Sequence, residues 1–74
     1  MQEPKSLSEA LELLKAGKTL VVERSDTGAS YVEYLHGEPV LTEYDNEGNL
    51  TYWKVLTTVK LNKLLEEIVR DNNV

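Results

Sequence analysis

The most chemically suggestive stretch of this sequence is Asp26-Thr27-Gly28, which places a carboxylate close to a glycine. Two such carboxylates held about 3 Å apart share one proton, and the pair can then act as general acid and general base. The chain carries this stretch once, so a symmetric dimer would have to bring two copies of Asp26 together. The alternative is that Asp26 and Gly28 form only a turn, in which these residue types are common.

The residues around Asp26 favour the turn. Retroviral-type aspartic proteases carry the same three residue types, but they run apolar residues straight into the aspartate. Here the polar residues Glu23, Arg24 and Ser25 precede it, as in a solvated turn. The apolar run into a buried glycine, which comes late in those proteases, has no counterpart, and the chain is too short to build flaps and a substrate cleft. We therefore expect no catalysis at Asp26 and no enzyme activity.

No other group of residues has the composition of a catalytic or metal site. His36 is the only histidine and there are no cysteines, so neither a zinc site nor a disulfide is expected. The glycines match neither phosphate-loop pattern, G-x-G-x-x-G or G-x-x-x-x-G-K-[ST]. Glu9, Glu12, Glu66 and Glu67 fall on predicted helix faces away from the apolar residues, as solvated carboxylates do. We expect no cofactor.

Length and charge limit the function further. The 74 residues are expected to form one domain, 1–74, with frayed tails at 1–5 and 71–74. The net charge of −5 disfavours a protein that grips nucleic acid, which needs clustered Lys and Arg. The longest apolar run, Leu20-Val21-Val22, is far shorter than the roughly 20 residues that span a bilayer. The N-terminus also lacks a signal-peptide pattern. These features predict a cytoplasmic protein that binds neither nucleic acid nor membrane.

Four glycines divide the chain into segments of different periodicity. Before Gly17, Ser6 and Glu9 form a capping box, and apolar residues then recur at helical spacing. Strands rich in Val, Thr, Tyr and Leu follow, and then a second helix with one apolar stripe. The predicted bounds are 19–24, 30–35, 40–44 and 49–57 for the strands and 58–70 for this helix. Because the connections are short, the predicted fold class is α+β: an antiparallel four-stranded meander sheet flanked by an N-terminal and a C-terminal helix (α-β-β-β-β-α), in two layers.

Both faces of the predicted sheet carry apolar residues. A hairpin loop at 46–48 places Tyr44 opposite Leu50 and Leu41 opposite Trp53. Since side chains alternate, one face then carries Val40, Tyr44, Leu50, Tyr52 and Leu56, and the other carries Leu41, Trp53 and Val55. Two helices can cover only one of these faces, and the residue pattern does not decide which face that is. The uncovered face predicts a homo-oligomer, a dimer or larger. The candidate interface residues are Tyr31, Tyr34, Leu41, Tyr44 and Trp53.

Two segments of the chain resemble a family of small phage-encoded proteins. Residues 7–24, LSEALELLKAGKTLVVER, are similar to the opening of that family, a helix followed by Gly-Lys and a strand that ends in arginine. Gly48, Trp53 and the helix that begins soon afterwards are similar to its later part. The chain departs from the family at Ser25, where tryptophan is usual, and at Glu66-Glu67-Ile68, where the family tends to have Asp-Trp.

This family includes inhibitors of the Thoeris bacterial defence system. Its members are not enzymes; they assemble as homo-oligomers and sequester a cyclic ADP-ribose signal. The resemblance implies an anti-defence protein of phage or mobile-element origin. It also implies that Arg24 contacts phosphate and Trp53 stacks on a base, with Tyr52 and Lys54 as further ligand-binding candidates.

Two functions therefore stand as hypotheses. The first is a small non-catalytic binding protein that acts as a homo-oligomer and sequesters a nucleotide-type signal. The second is a protein–protein interaction module or inhibitor that uses its sheet face or acidic surface on a host protein. The first function requires Arg24 or Lys54 beside an aromatic pocket, whereas the second requires a flat aromatic patch.

Overall fold

The computed structural model describes residues 3–74, which form two helices and four strands. Helix α1 (Leu7–Lys15) is followed by strands β1 (Leu20–Ser25), β2 (Gly28–Leu35), β3 (Glu38–Asp45) and β4 (Leu50–Val55), and then by helix α2 (Thr58–Asn72). All neighbouring strands are antiparallel, in the order β1-β2-β3-β4. This confirms the predicted α+β meander with a helix at each end.

Side-chain caps define where both helices begin. The Ser6 hydroxyl accepts a hydrogen bond from the backbone N–H of Glu9 at 3.1 Å, and the Thr57 hydroxyl accepts one from Lys60 at 3.2 Å. These bonds satisfy amides that have no partner inside the first helical turn. Neither helix in the described part of the chain is long and apolar enough to cross a membrane.

The core lies between the two helices and the first two strands. Leu14 of α1, Leu20 of β1, Val32 of β2 and Leu65 of α2 are fully buried, and each contributes about 1.5–3 kcal/mol by leaving water. The whole cluster consists of Ala10, Leu14, Leu20, Val32, Leu56, Leu61, Leu65 and Ile68. The helices pack on each other and over β1 and β2, but they make few contacts with β3 and β4.

A bulge in β4 determines which side chains face the helices. Glu43 pairs with Tyr52 and Tyr44 pairs with Leu50, so Thr51 is an extra residue on β4. The Thr51 hydroxyl donates a hydrogen bond to the carbonyl oxygen of Glu43 at 3.2 Å. One extra residue interrupts the alternation of a strand, and the side chains after it lie on the face opposite to the one that strict alternation predicts.

The predicted pairing of Leu41 with Trp53 is therefore wrong. Leu41 pairs with Lys54, and Trp53 pairs with Thr42. The helix side of this half of the sheet carries Leu41, Tyr52, Lys54 and Leu56, and the side without helices carries Val40, Tyr44, Leu50, Trp53 and Val55. The second side, together with the residues of β1 and β2 in register with it, is named the open face below. The bulge thus brings Trp53 and Tyr44 to the same face.

Hydrogen bonds join the two ends of the described chain. The Asn72 side chain donates to the carbonyl oxygen of Pro4 at 3.0 Å, and the Asn73 side chain donates to that of Lys5 at 2.9 Å. Pro4 is also fully buried. Each tail thus supplies hydrogen-bond partners for the other, and the predicted fraying of residues 1–5 and 71–74 stays a prediction. Residues 1–2 lie outside the described part of the chain.

Gly28 begins β2 where the backbone of β3 passes closest. Its φ is 155°, and a Cβ at this position would collide with the carbonyl oxygen of Tyr44. We expect Gly28→Ala to lower the free energy of unfolding, measured in urea, by about 2–4 kcal/mol. Gly48→Ala is the matched control, because Gly48 also has a positive φ, 85°, but a Cβ there meets nothing within 4 Å. The control should cost about 1–2 kcal/mol, and equal losses would contradict the collision.

The Asp45 carboxylate organises the turn between β3 and β4. Its Oδ1 accepts hydrogen bonds from the backbone N–H groups of Asn49 at 2.8 Å and Glu47 at 2.9 Å. These bonds, chiefly the one from Asn49, lower the pKa of Asp45 below its ordinary value of 3.8. Since folding favours the charged form, this stabilisation is present above pH 3.8 and is lost as the pH falls through the folded-state pKa.

We expect Asp45→Ala to lower the midpoint of thermal unfolding at neutral pH. The difference from the wild type should shrink as the pH falls below 3.8, because the protonated carboxyl accepts these bonds less well. Asp26→Ala, in the turn between β1 and β2, is the control and should change the midpoint less. A difference between Asp45→Ala and wild type that stays constant with pH would show that charge is not its cause.

Candidate functional site

Asp26 lies in the turn between β1 and β2. Ser25 pairs with Gly28, so Asp26 and Thr27 alone join the two strands. The Ser25 hydroxyl accepts a hydrogen bond from the backbone N–H of Thr27 at 3.3 Å. Asp26 is exposed, whereas a carboxylate pair that shares a proton is shielded from water. The geometry is that of a solvated turn, as the residues before Asp26 predict.

His36 belongs to the next turn of the sheet. His36 has a φ of 54° and Gly37 has a φ of 80°. Positive φ at both central residues is typical of the type I′ turn that joins antiparallel strands, so the hairpin explains this position. Within residues 3–74, no three side chains of His, Cys, Asp or Glu come together as candidate metal ligands.

The open face is an apolar surface with aromatic residues at its centre. One row across the sheet, from β1 to β4, consists of Val21, Tyr31, Thr42 and Trp53. The rows beside it add Arg24, Ala29, Tyr44 and Leu50 in one direction and Glu33, Val40 and Val55 in the other. The rings of Tyr31 and Tyr44 contact each other edge to face, with their centroids 5.8 Å apart.

Exposure of the open face increases from its centre to its edge. Val40 and Thr42, on the inner strand β3, are each only 4% exposed, since side chains of β2 and β4 flank them on both sides. On the edge strand β4, Trp53 is 62% exposed and Leu50 is 51% exposed. A contiguous group of exposed apolar side chains, as distinct from scattered ones, marks an interaction surface.

A second surface lies on the helix side, between β4 and α2, and is named the lysine groove. Its lining consists of the apolar Leu41, Leu56 and Leu64, the ring of Tyr52, the lysines Lys54, Lys60 and Lys63, and Glu43. Its volume is about 400 Å³. Lys54 lowers the pKa of Lys60, because it can hydrogen-bond to the uncharged Lys60 amine and because its own charge repels the charged one.

The structure divides the predicted interface residues between the two sides of the sheet. Tyr31, Tyr44 and Trp53 lie together on the open face. Tyr34 and Leu41 instead pack against the core under the helices, so they do not share a surface with the other three. Alternation along β2 separates Tyr34 from Tyr31, and the β4 bulge separates Leu41 from Trp53.

The predicted ligand-binding residues are divided in the same way. Arg24 and Trp53 lie on the open face, whereas Tyr52 and Lys54 lie in the lysine groove. These four side chains therefore do not line one pocket. Sequence reasoning missed Lys60 and Lys63, although their spacing of three residues places them on one side of α2.

Comparisons with protein-family models, with curated proteins and with solved structures found no match for this chain. The resemblance to the phage family stays a prediction, because no match tests it. The function of the chain must therefore be argued from its own two surfaces, the open face and the lysine groove.

Thr42 is a polar residue buried at the centre of the open face. Its Oγ1 has no hydrogen-bond partner, the one such buried side-chain atom found in residues 3–74. Because burial of an unpaired hydroxyl is costly, we expect Thr42→Val to raise the free energy of unfolding by about 1–2 kcal/mol. Urea unfolding at low protein concentration measures this change. Thr51→Val is the control, since its hydroxyl donates to Glu43 and its loss should not stabilise. A loss of stability in Thr42→Val would mean that its hydroxyl has a partner in solution.

Proposed function

We propose that this chain is a non-catalytic binding protein that works as a homo-oligomer, in its simplest form a dimer joined through the open face. The observation that carries the proposal is the group of exposed aromatic and aliphatic side chains around Trp53, on a sheet face that no helix covers. Covering this face removes apolar surface from water, which is the main favourable term in association.

The distribution of charge favours a second copy as the occupant of the open face. The chain carries 13 acidic and 8 basic residues, so two copies repel each other through most of their surfaces. On the open face, the charged residues Arg24, Glu33 and Glu38 include both signs and lie around the apolar centre. The apolar centre of this face carries no charge, so two acidic chains meet less repulsion there than across their carboxylate-rich surfaces.

The dimensions of the open face fit a weak dimer. Four strands about 4.8 Å apart and about six residues long give a flat area of roughly 400 Å² per copy. Two copies then bury roughly 800–1,000 Å², which is below the area of most stable complexes. We therefore expect a dissociation constant in the micromolar range, at which self-association depends on protein concentration.

Sequestration of a nucleotide-type signal has less support from the geometry. Arg24 and Trp53 share the open face, but they lie on β1 and β4, three strand spacings or about 14 Å apart. A single copy therefore does not present both to one base and its phosphate. In a dimer through the open face, Arg24 of one copy can approach Trp53 of the other, so a site built from these two residues depends on the same interface.

Sedimentation velocity over a range of concentrations tests the proposed interface. We expect Trp53→Ala to weaken self-association about 30-fold or more, because a large aromatic side chain that becomes buried in an interface contributes about 2 kcal/mol or more. Tyr52→Ala is the matched control. Tyr52 directly precedes Trp53 on the same strand and is 45% exposed, but its side chain lies on the helix side of the sheet. The control should associate as the wild type does.

Two results would contradict a dimer joined through the open face. A wild-type chain that stays monomeric at high micromolar concentration would leave the open face to a different protein, which is the second hypothesis. Equal weakening by Trp53→Ala and Tyr52→Ala would instead locate the contact at the free edge of β4, where both side chains lie.

A further inference from the structure

The lysine groove points to a binding site of a different kind. We propose that it binds a small organic phosphate, with the phosphate among the ammonium groups of Lys54, Lys60 and Lys63 and the organic part on the apolar floor. This inference is independent of self-association, because the groove lies on the side of the sheet opposite the open face.

The groove concentrates positive charge in an acidic chain. Three of the eight basic residues line it, although the net charge of the chain is −5. Lys54 comes from β4, and Lys60 and Lys63 come from the first two turns of α2. In the described residues, 3–74, none of the three forms an ion pair with a carboxylate. A bound anion would supply the missing opposite charge.

Two features of the fold oppose the charge on Lys60. Lys54 can hydrogen-bond to the uncharged Lys60 amine and repels the charged one, and both effects lower the pKa of Lys60. Lys60 also lies in the first turn of α2, which carries no acidic residue. The helix dipole is positive at this end and disfavours a cation there. An anion between Lys54 and Lys60 would be attracted by both ammonium groups and by the helix end.

The composition of the groove favours an organic phosphate over other anions. A phosphate monoester carries nearly two negative charges at neutral pH and several acceptor oxygens, so it can accept bonds from three ammonium groups. Beyond Lys54, the groove continues to Tyr52 and Glu43, which pair in the next row of the sheet. The Glu43 carboxylate repels a second anion there, while the ring of Tyr52 can contact an apolar group. The volume of about 400 Å³ suits a small molecule.

Titration with phenyl phosphate, followed by amide chemical shifts, tests the proposal. We expect saturable binding at millimolar concentration or below, with shift changes in β4 and in the first turns of α2. Inorganic phosphate should bind more weakly, because it makes no contact with the apolar floor. Lys60→Gln should weaken phenyl phosphate binding about tenfold, the usual loss for one charge-assisted contact. Lys15→Gln, at the end of α1, removes the same charge elsewhere and should leave binding unchanged.

The fold and the role of the charge are checked separately. Lys60→Gln should not lower the thermal midpoint, since it removes the repulsion from Lys54, and Lys60→Arg should keep the binding. The proposal is overturned by any of three results: no saturable binding, equal weakening by Lys15→Gln and Lys60→Gln, or shift changes confined to the open face. Inorganic phosphate that binds as tightly as phenyl phosphate would overturn the role given to the apolar floor.

Discussion

The packing of two helices over β1 and β2 is the constraint on which the rest of the structure depends. Each helix has one apolar stripe, and both stripes are used in the core around Leu20 and Val32. Within the described residues, 3–74, no third helix covers β3 and β4. Those strands are therefore open on one side of the sheet and form only a groove on the other. Both candidate surfaces follow from this one-sided core.

The elements of the fold could be predicted because their signals are local. The cap at Ser6 and the turn residues at 26–28 and 36–37 are recognisable within a few positions, and short connections imply antiparallel neighbours. The faces of β4 could not be predicted in this way. Thr51 is an ordinary strand residue, and nothing in its type shows that it forms a bulge. Only its pairing with β3 reveals that Trp53 lies beside Thr42.

The candidate surfaces could be predicted only where a signal is local to the sequence. Aromatic residues indicate an interface wherever they are exposed, so Tyr44 and Trp53 could be selected from their residue types. The lysine groove requires knowledge of which side of β4 carries Lys54 and where α2 begins relative to it. Lys54 and Lys60 belong to different elements, and no periodicity links them. Their proximity is a product of the tertiary structure and of the cap at Thr57.

The bulge also bears on how the sequence of this chain could vary. Thr51 lies between two pairs that are already in register, Tyr44 with Leu50 and Glu43 with Tyr52. Deletion of Thr51 would leave both pairs in register and would remove the bulge. A homologue one residue shorter here would therefore keep the same two surfaces. An alignment that placed the gap after Val55 instead would match Tyr52, Trp53, Lys54 and Val55 each with a side chain from the opposite face.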